Sequence, residues 1–239
     1  MRRTIGILLA AGVVIAYDTW VLLFLSPHPR PLSGYLSELA AADQPYDWVF
    51  RGGDMTAGAL MILIACLGWT GWRSCLGRLS PAVAAALALT GLATICDAAA
   101  AMPCAESFDD ACHAAHQADP LQPGFLIHTV TSTVVVCSAL ATMVLVHLAL
   151  RRRGGRHTVH ARWVVVIAAV LLASNLASWL IEMLWRSGQG YVQVVGVIII
   201  AGWVSLLGYS AVTHPRIETS TDAYAEAREG GEGCHPRAH

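Results

Sequence analysis

Ser37-Glu38-Leu39-Ala40-Ala41-Ala42-Asp43-Gln44-Pro45-Tyr46-Asp47-Trp48-Val49-Phe50-Arg51-Gly52-Gly53-Asp54-Met55-Thr56-Ala57-Gly58 is the stretch whose reading decides the fold. It starts as a polar loop and passes straight into an apolar helix. Arg51 and Asp54 are carried past the point where the apolar residues begin. At the centre of a bilayer either charge costs about 2.5–3.5 kcal/mol, and less towards the edge. Charges kept at that cost need partners, and the rest of the chain can be read as supplying them.

The chain has 239 residues, of which 56% are hydrophobic and only 13% charged. A soluble domain carries about 25% charged residues, so this composition describes an integral membrane protein. One crossing of the hydrocarbon takes about 20 apolar residues. Six stretches qualify: 4–25, 48–72, 79–102, 123–150, 161–185 and 191–213. The expected fold is all-α, a polytopic six-helix bundle over 1–213 followed by a polar tail over 214–239. That tail has too little apolar surface to order itself. Met1-Arg2-Arg3 before the first apolar run resembles a signal peptide, but the run is too long for an h-region and reads as a retained anchor.

Basic residues set the expected orientation. Arg2 and Arg3, then Arg73 and Arg78, then Arg151, Arg152, Arg153 and Arg156 occupy alternate ends of the spans. The positive-inside rule puts all of them, and both termini, on the cytoplasmic side of a multi-pass plasma-membrane protein. The opposite loops are acidic, with Glu38, Asp43 and Asp47 in the first and Glu106, Asp109, Asp110 and Asp119 in the second. In an oxidising exterior Cys104 and Cys112 of that second loop pair; two separate thiols are the alternative. Cys66, Cys96 and Cys137 lie in apolar helices and read as small packing residues, while Cys75 and Cys234 face the cytoplasm. His113 and His116 have i,i+3 spacing and read as solvated loop residues, with metal binding the less common use. Cys234, His235 and His239 read as incidental ligands on the tail. No phosphate loop or nucleic-acid motif is present, and topology with anionic headgroups accounts for the arginines.

Counting depth at 1.5 Å per helical residue places a polar residue in the outer part of every span: Asp18, Asp54, Asp97, His128, Glu182 and Gln193. The inner halves are nearly bare, with Asn175 near mid-depth and His147 near the cytoplasmic edge. Arg51 reaches Asp47 at i,i+4 or Asp54 at i,i+3, and His128 reaches Ser132 at i,i+4. Gly52, Gly53 and Gly58 give the second span a face that another backbone can approach closely. We read an outward-facing polar cavity in the outer leaflet. Asp54, Asp97 and His128 are its candidate catalytic residues, and Ser37, Arg51, Ser132, Asp18, Glu182 and Gln193 its candidate substrate contacts. A His–Asp pair suits a general base. The set His128, Asp54 and Asp97 also suits a divalent metal cofactor, although a lone His is a poor basis for zinc. A proton relay is the third chemistry open to it. The competing reading is structural: Arg51 with Asp54, and His128 with Asp97, hold the bundle together. Glu182 and Gln193 by themselves read as interfacial.

Ser33-Gly34-Tyr35-Leu36-Ser37-Glu38-Leu39, then Pro45 and Phe50-Arg51-Gly52-Gly53, Cys96-Asp97, the Cys104/Cys112 loop and His128 form a recognisable set. Together they resemble the bacterial membrane family called domain of unknown function 998, over about residues 4–213. More distantly the chain is similar to six-span DRAM-type proteins. The resemblance implies a six-helix bundle and brings no reaction with it. The Ser/Asp/His content is also similar to ceramidase-like hydrolases, but their His pair in the last span is missing here. The expected function is to bind or remodel a lipid-like substrate in the outer leaflet. The alternatives are a small transporter or proton-coupled carrier, which needs a polar path to the cytoplasm, and a non-enzymatic scaffold of an envelope complex. The expected partners are the lipid bilayer and a lipid-like small molecule, not nucleic acid.

Overall fold

Apolar chain surrounded by hydrocarbon must satisfy its backbone internally, and the helix does so within one segment. The computed structural model describes residues 1–25, 32–154, 157–185 and 187–213. The expected tail at 214–239, with Cys234, His235 and His239, lies outside the described residues, as do Pro27 and Arg156. The helices are α1 (Arg2–Tyr17), α2 (Asp47–Gly71), α3 (Arg73–Leu76), α4 (Ser80–Ala99), α5 (Asp110–Ala118), α6 (Pro123–Arg153), α7 (His157–Trp185) and α8 (Gln189–Thr213). Short 3-10 segments cover Thr19–Leu25, Leu36–Ala40 and Gly77–Leu79.

Local chemistry sets the ends. A proline in the first turn opens α4 and α6, where the missing N–H has no partner to lose. Arg151, Arg152 and Arg153 fill the last turn of α6, and Gly154 at φ 66° ends it, complementing the free carbonyls there. Asp18 follows Tyr17, and its Oδ1 accepts from Trp20 Nε1 at 3.1 Å. There the α-helix stops and the chain continues as a tighter 3-10 turn. Among the described residues five helical stretches are long and apolar enough to cross a membrane: α2, the combined Arg73–Ala99, α6, α7 and α8. The α-helical part of the expected first span has 16 residues, about 24 Å, and the 3-10 turn prolongs it.

The long helices form a ring in chain order. α1 packs on α2, α2 on α4, α4 on α6, α6 on α7 and α7 on α8, and α8 returns to α1. Val13, Met61, Ile64, Leu87, Met143 and Leu171 fill its centre. Hydroxyls and indoles join the helices where lipid offers no hydrophobic drive. Trp203 Nε1 donates to Thr142 Oγ1 at 2.7 Å, Trp72 Nε1 to Ser210 Oγ at 3.0 Å, and Thr90 and Ser138 share a hydrogen bond of 2.8 Å. The tightest crossing joins α2 to α4. A Cβ on Gly58 would sit 2.6 Å from Gly91 O, and one on Gly91 2.5 Å from Gly58 O. Gly53 also meets a backbone closely, at Ala16 O, whereas Gly52 faces open space.

Gly6 of α1 lies against Tyr209 and Val212 of α8, so both ends of the described chain share one end of the bundle. The 73–79 turn is there too, because Arg153 donates to Ser74 O. The opposite end is closed by two polar loops. Asp43 Oδ1 accepts from Ala105 N at 3.1 Å, and Ala42 N donates to Met102 O at 2.9 Å. Asp109 caps α5 through Ala111 N at 2.8 Å, and Cys104 and Cys112 form a disulfide. Met102, Ala105, Cys112 and Phe125 make a small core beneath it.

The disulfide closes a loop of sequence separation 8, worth about 2.5 kcal/mol in the chain-entropy model. Cys104→Ser is therefore expected to lower the unfolding temperature in detergent, and reducing agent to match it in the wild type while leaving the variant unchanged. Cys66, Cys96 and Cys137 correct the sequence reading: all three are exposed on the outside of the bundle. Hydrocarbon is as apolar as the protein interior, so a small apolar residue has no need of the core.

Candidate functional site

Asp97 sits in the last turn of α4 and His128 in the second turn of α6, on neighbouring helices that meet near the capped end. His128 Nδ1 lies 3.0 Å from Asp97 Oδ1, with the side chains 18% and 19% exposed. Thr131 Oγ1 donates to the same carboxylate oxygen, and Ser132 Oγ approaches it at 3.5 Å. From α2, Asp54 lies within electrostatic reach of both Asp97 and His128. From α1, Tyr17 is within reach of Asp54, Asp97 and Asp18. Four helices thus converge on one partly open polar cluster. Its central interaction is a His–Asp pair, with the ring held at Nδ1 and Nε2 uncommitted among the described residues.

Arg51 has a different place from Asp54. Its Nε donates to Ala98 O at 2.8 Å and Nη2 to Ala99 O at 3.4 Å, while Nη1 pairs with Asp47 Oδ2 at 3.4 Å. A guanidinium on the last carbonyls of a helix satisfies orphan acceptors and complements the negative end of its dipole. Arg51 therefore holds the end of α4 that carries Asp97. Among the described residues it forms no ion pair with Asp54.

A second polar cluster builds the cap. Tyr35 OH donates to Glu182 Oε2 at 2.5 Å, and Leu36 N to Gln193 Oε1 at 2.6 Å. Glu182 and Gln193 tie the first loop to α7 and α8. Burial, and then the Glu182 carboxylate, raises the Tyr35 hydroxyl. Ser37 is half-buried on the same 3-10 turn. Beside it Glu38 is 2% exposed. Its Oε1 accepts from Ser107 N at 3.0 Å, and its Oε2 has no hydrogen-bond partner among the described residues. Burial pushes the Glu38 carboxyl up to about 7; Ser107 pulls the other way, and Glu106 and Glu182 add to the rise. Gly34 must be glycine here, because a Cβ would strike the Glu38 carboxylate and come within 2.8 Å of Ser107 Cβ.

His113 and His116 are not simply solvated. Their Nδ1 atoms lie 3.3 and 2.8 Å from Glu106 Oε2, and His116 stacks on Phe125 with ring centroids 4.1 Å apart. The structure thus brings together Asp54, Asp97, His128 and Ser132. It assigns Glu182 and Gln193 to the cap, Arg51 to the end of α4 and Asp18 to the end of α1. Glu38, Ser107, Gln189 and Tyr17 complete the two clusters, and sequence reasoning did not select them as site residues. Of these, Glu38 alone was visible in the sequence, and only as one acid of the first polar loop. No group of three or more His, Cys, Asp or Glu side chains is placed to hold a metal ion among the described residues.

Fold and composition together define a helical membrane protein whose bundle is capped by polar loops at one end. The chain belongs to the DUF998 family, described as proteins of unknown function, which it matches over residues 9–210. No curated protein and no solved structure matches it.

Proposed function

We propose that the protein is a six-span protein of the plasma membrane that binds and works on a lipid-like molecule in the outer leaflet. The observation that carries this reading is the Asp97–His128 pair near the capped end of the bundle, partly open, with Asp54 within electrostatic reach. A carboxylate on Nδ1 fixes the imidazole ring and makes Nε2 the better base. Nε2 then takes a proton from a lipid hydroxyl or from water, a role worth about 10²–10⁴-fold in rate. Asp54 stabilises the imidazolium that forms.

The orientation rests on two independent supports. Disulfides persist in oxidising compartments, which favours an external cap. The arginines at the other end favour the cytoplasm, with α1 and its 3-10 extension as the sixth crossing. A carrier would need a polar path through the inner half. Asn175 Nδ2 is occupied by Leu171 O, and the Thr90 and Ser138 hydroxyls are taken up by each other and by a backbone carbonyl, Ala86 O or Val134 O, which favours the first reading.

The test is the lipid profile of a deletion strain carrying wild-type or variant protein. Asp97→Asn and His128→Ala are expected to leave the altered profile uncorrected at normal protein levels. Full correction by both variants would sink the proposal.

A further inference from the structure

A cavity of about 320 Å³ opens beside the cap, between the second loop, α5 and the facing ends of α7 and α8. It shares no residue with the Asp97–His128 cluster and does not depend on the role given to that cluster. Glu106, Ser107, His113, Trp179, Glu182 and Gln189 are among its lining residues. The volume suits a small organic group, at the lower end of the range for ligand sites.

The walls are rich in acceptors. Glu182 uses Oε2 to accept from Tyr35, and Glu106 uses Oε2 to hold His113 and His116. Each retains its other carboxylate oxygen among the described residues. Gln189 is the independent sign of a ligand. Its side chain is fully buried, and Nε2 donates to Ser107 Oγ at 2.9 Å, but Oε1 has no donor among the described residues. Buried acceptors are normally satisfied, so this atom marks where an N–H belongs. Trp179, 57% exposed at the rim, offers an indole face of the kind that attracts cations.

We propose that this cavity binds a primary ammonium group. Such a group brings one positive charge and three N–H donors. One donor meets Gln189 Oε1 and a second meets Glu182, while Glu106 adds its charge and Trp179 covers the outer side. The ammonium belongs either to an aminophospholipid headgroup or to a free small amine.

The test uses the purified full-length protein. In nanodiscs of equal phosphatidylethanolamine and phosphatidylglycerol, native mass spectrometry after release is expected to show selective retention of the ethanolamine lipid. In lipid-free detergent, ethanolamine is added and the unfolding temperature read. Selective lipid retention without an ethanolamine shift identifies the headgroup as the source; an ethanolamine shift identifies a free amine. Gln189→Ala and Glu182→Gln are expected to weaken either signal about tenfold or more. Trp179→Ala, at an exposed site, is expected to weaken it about fivefold. Gly52→Ala, where a Cβ meets nothing within 4 Å, is expected to bind as the wild type does. Equal retention of both lipids with no ethanolamine shift would overturn the proposal. So would undiminished binding by Trp179→Ala and Gln189→Ala, or stabilisation by Mg²⁺ in place of the amine.

Discussion

Gly91→Leu is expected to abolish the folded protein. On α4, a Cβ at Gly91 would lie 2.5 Å from Gly58 O, 2.9 Å from Met61 Cβ and 3.0 Å from Ile62 Cγ1. The first obstacle is backbone and cannot turn aside. Gly58 meets Gly91 O in the same way at 2.6 Å, so the helices touch through two missing side chains. Overpacking a core where side chains can adjust costs about 1–3 kcal/mol. Here α2 and α4 themselves must part, and they form the most extensive helix pair in the ring. Separation would also reach the polar cluster. Asp54 precedes Gly58 by one turn on α2, and Asp97 follows Gly91 by under two turns on α4, so both lie on the capped side of the crossing. Gly91→Leu in a fluorescent fusion should lose its monodisperse peak in size-exclusion chromatography. Gly91→Ala should retain a peak with a clearly lower unfolding temperature. Gly52→Ala, where a Cβ meets nothing within 4 Å, should leave both unchanged. A Gly91→Leu protein as stable as the Gly52→Ala control would refute the crossing.

What the sequence made legible was whatever depends on distance along the chain. Span positions follow from apolar run length, and Asp97 and His128 could be matched because both were counted from a span end. The Cys104 and Cys112 pairing needed only proximity and loop length. What stayed hidden depends on contacts across sequence. Arg51 had two acidic neighbours within one turn, yet it also takes carbonyls from Ala98 and Ala99, 47 and 48 residues away. Glu38 looks like an ordinary loop acid until Ser107, 69 residues on, closes over it. The cysteines fail for another reason. Nearly every position of a membrane helix is apolar, whether it faces lipid or protein, so periodicity carries little information about Cys66, Cys96 and Cys137.

The same hidden contact at Glu38 makes a second large effect. The carboxyl sits near 7 in the folded protein against 4.5 for its ordinary value, chiefly through burial. Below about pH 4.5 the group is neutral in both states and its full contribution to stability is present. Between 4.5 and 7 the unfolded chain releases the proton while the folded cap keeps it. The unfolded state then binds fewer protons, so stability falls as pH rises, by about 1.4 kcal/mol per unit and about 3 kcal/mol in all. Above 7 the folded group ionises too and the loss levels off. Glu106 and Glu182 face Glu38 with like charge, and His113 and His116 bear on Glu106. Those groups remain in Glu38→Gln, which isolates the one carboxyl. The glutamine keeps an acceptor for Ser107 N and stays neutral at every pH. Wild type is expected to lose about 5–10 °C of unfolding temperature between pH 5 and pH 8. Glu38→Gln should lose much less over that range and exceed the wild type at pH 8. Parallel curves for the two proteins would show that Glu38 is not the group that titrates.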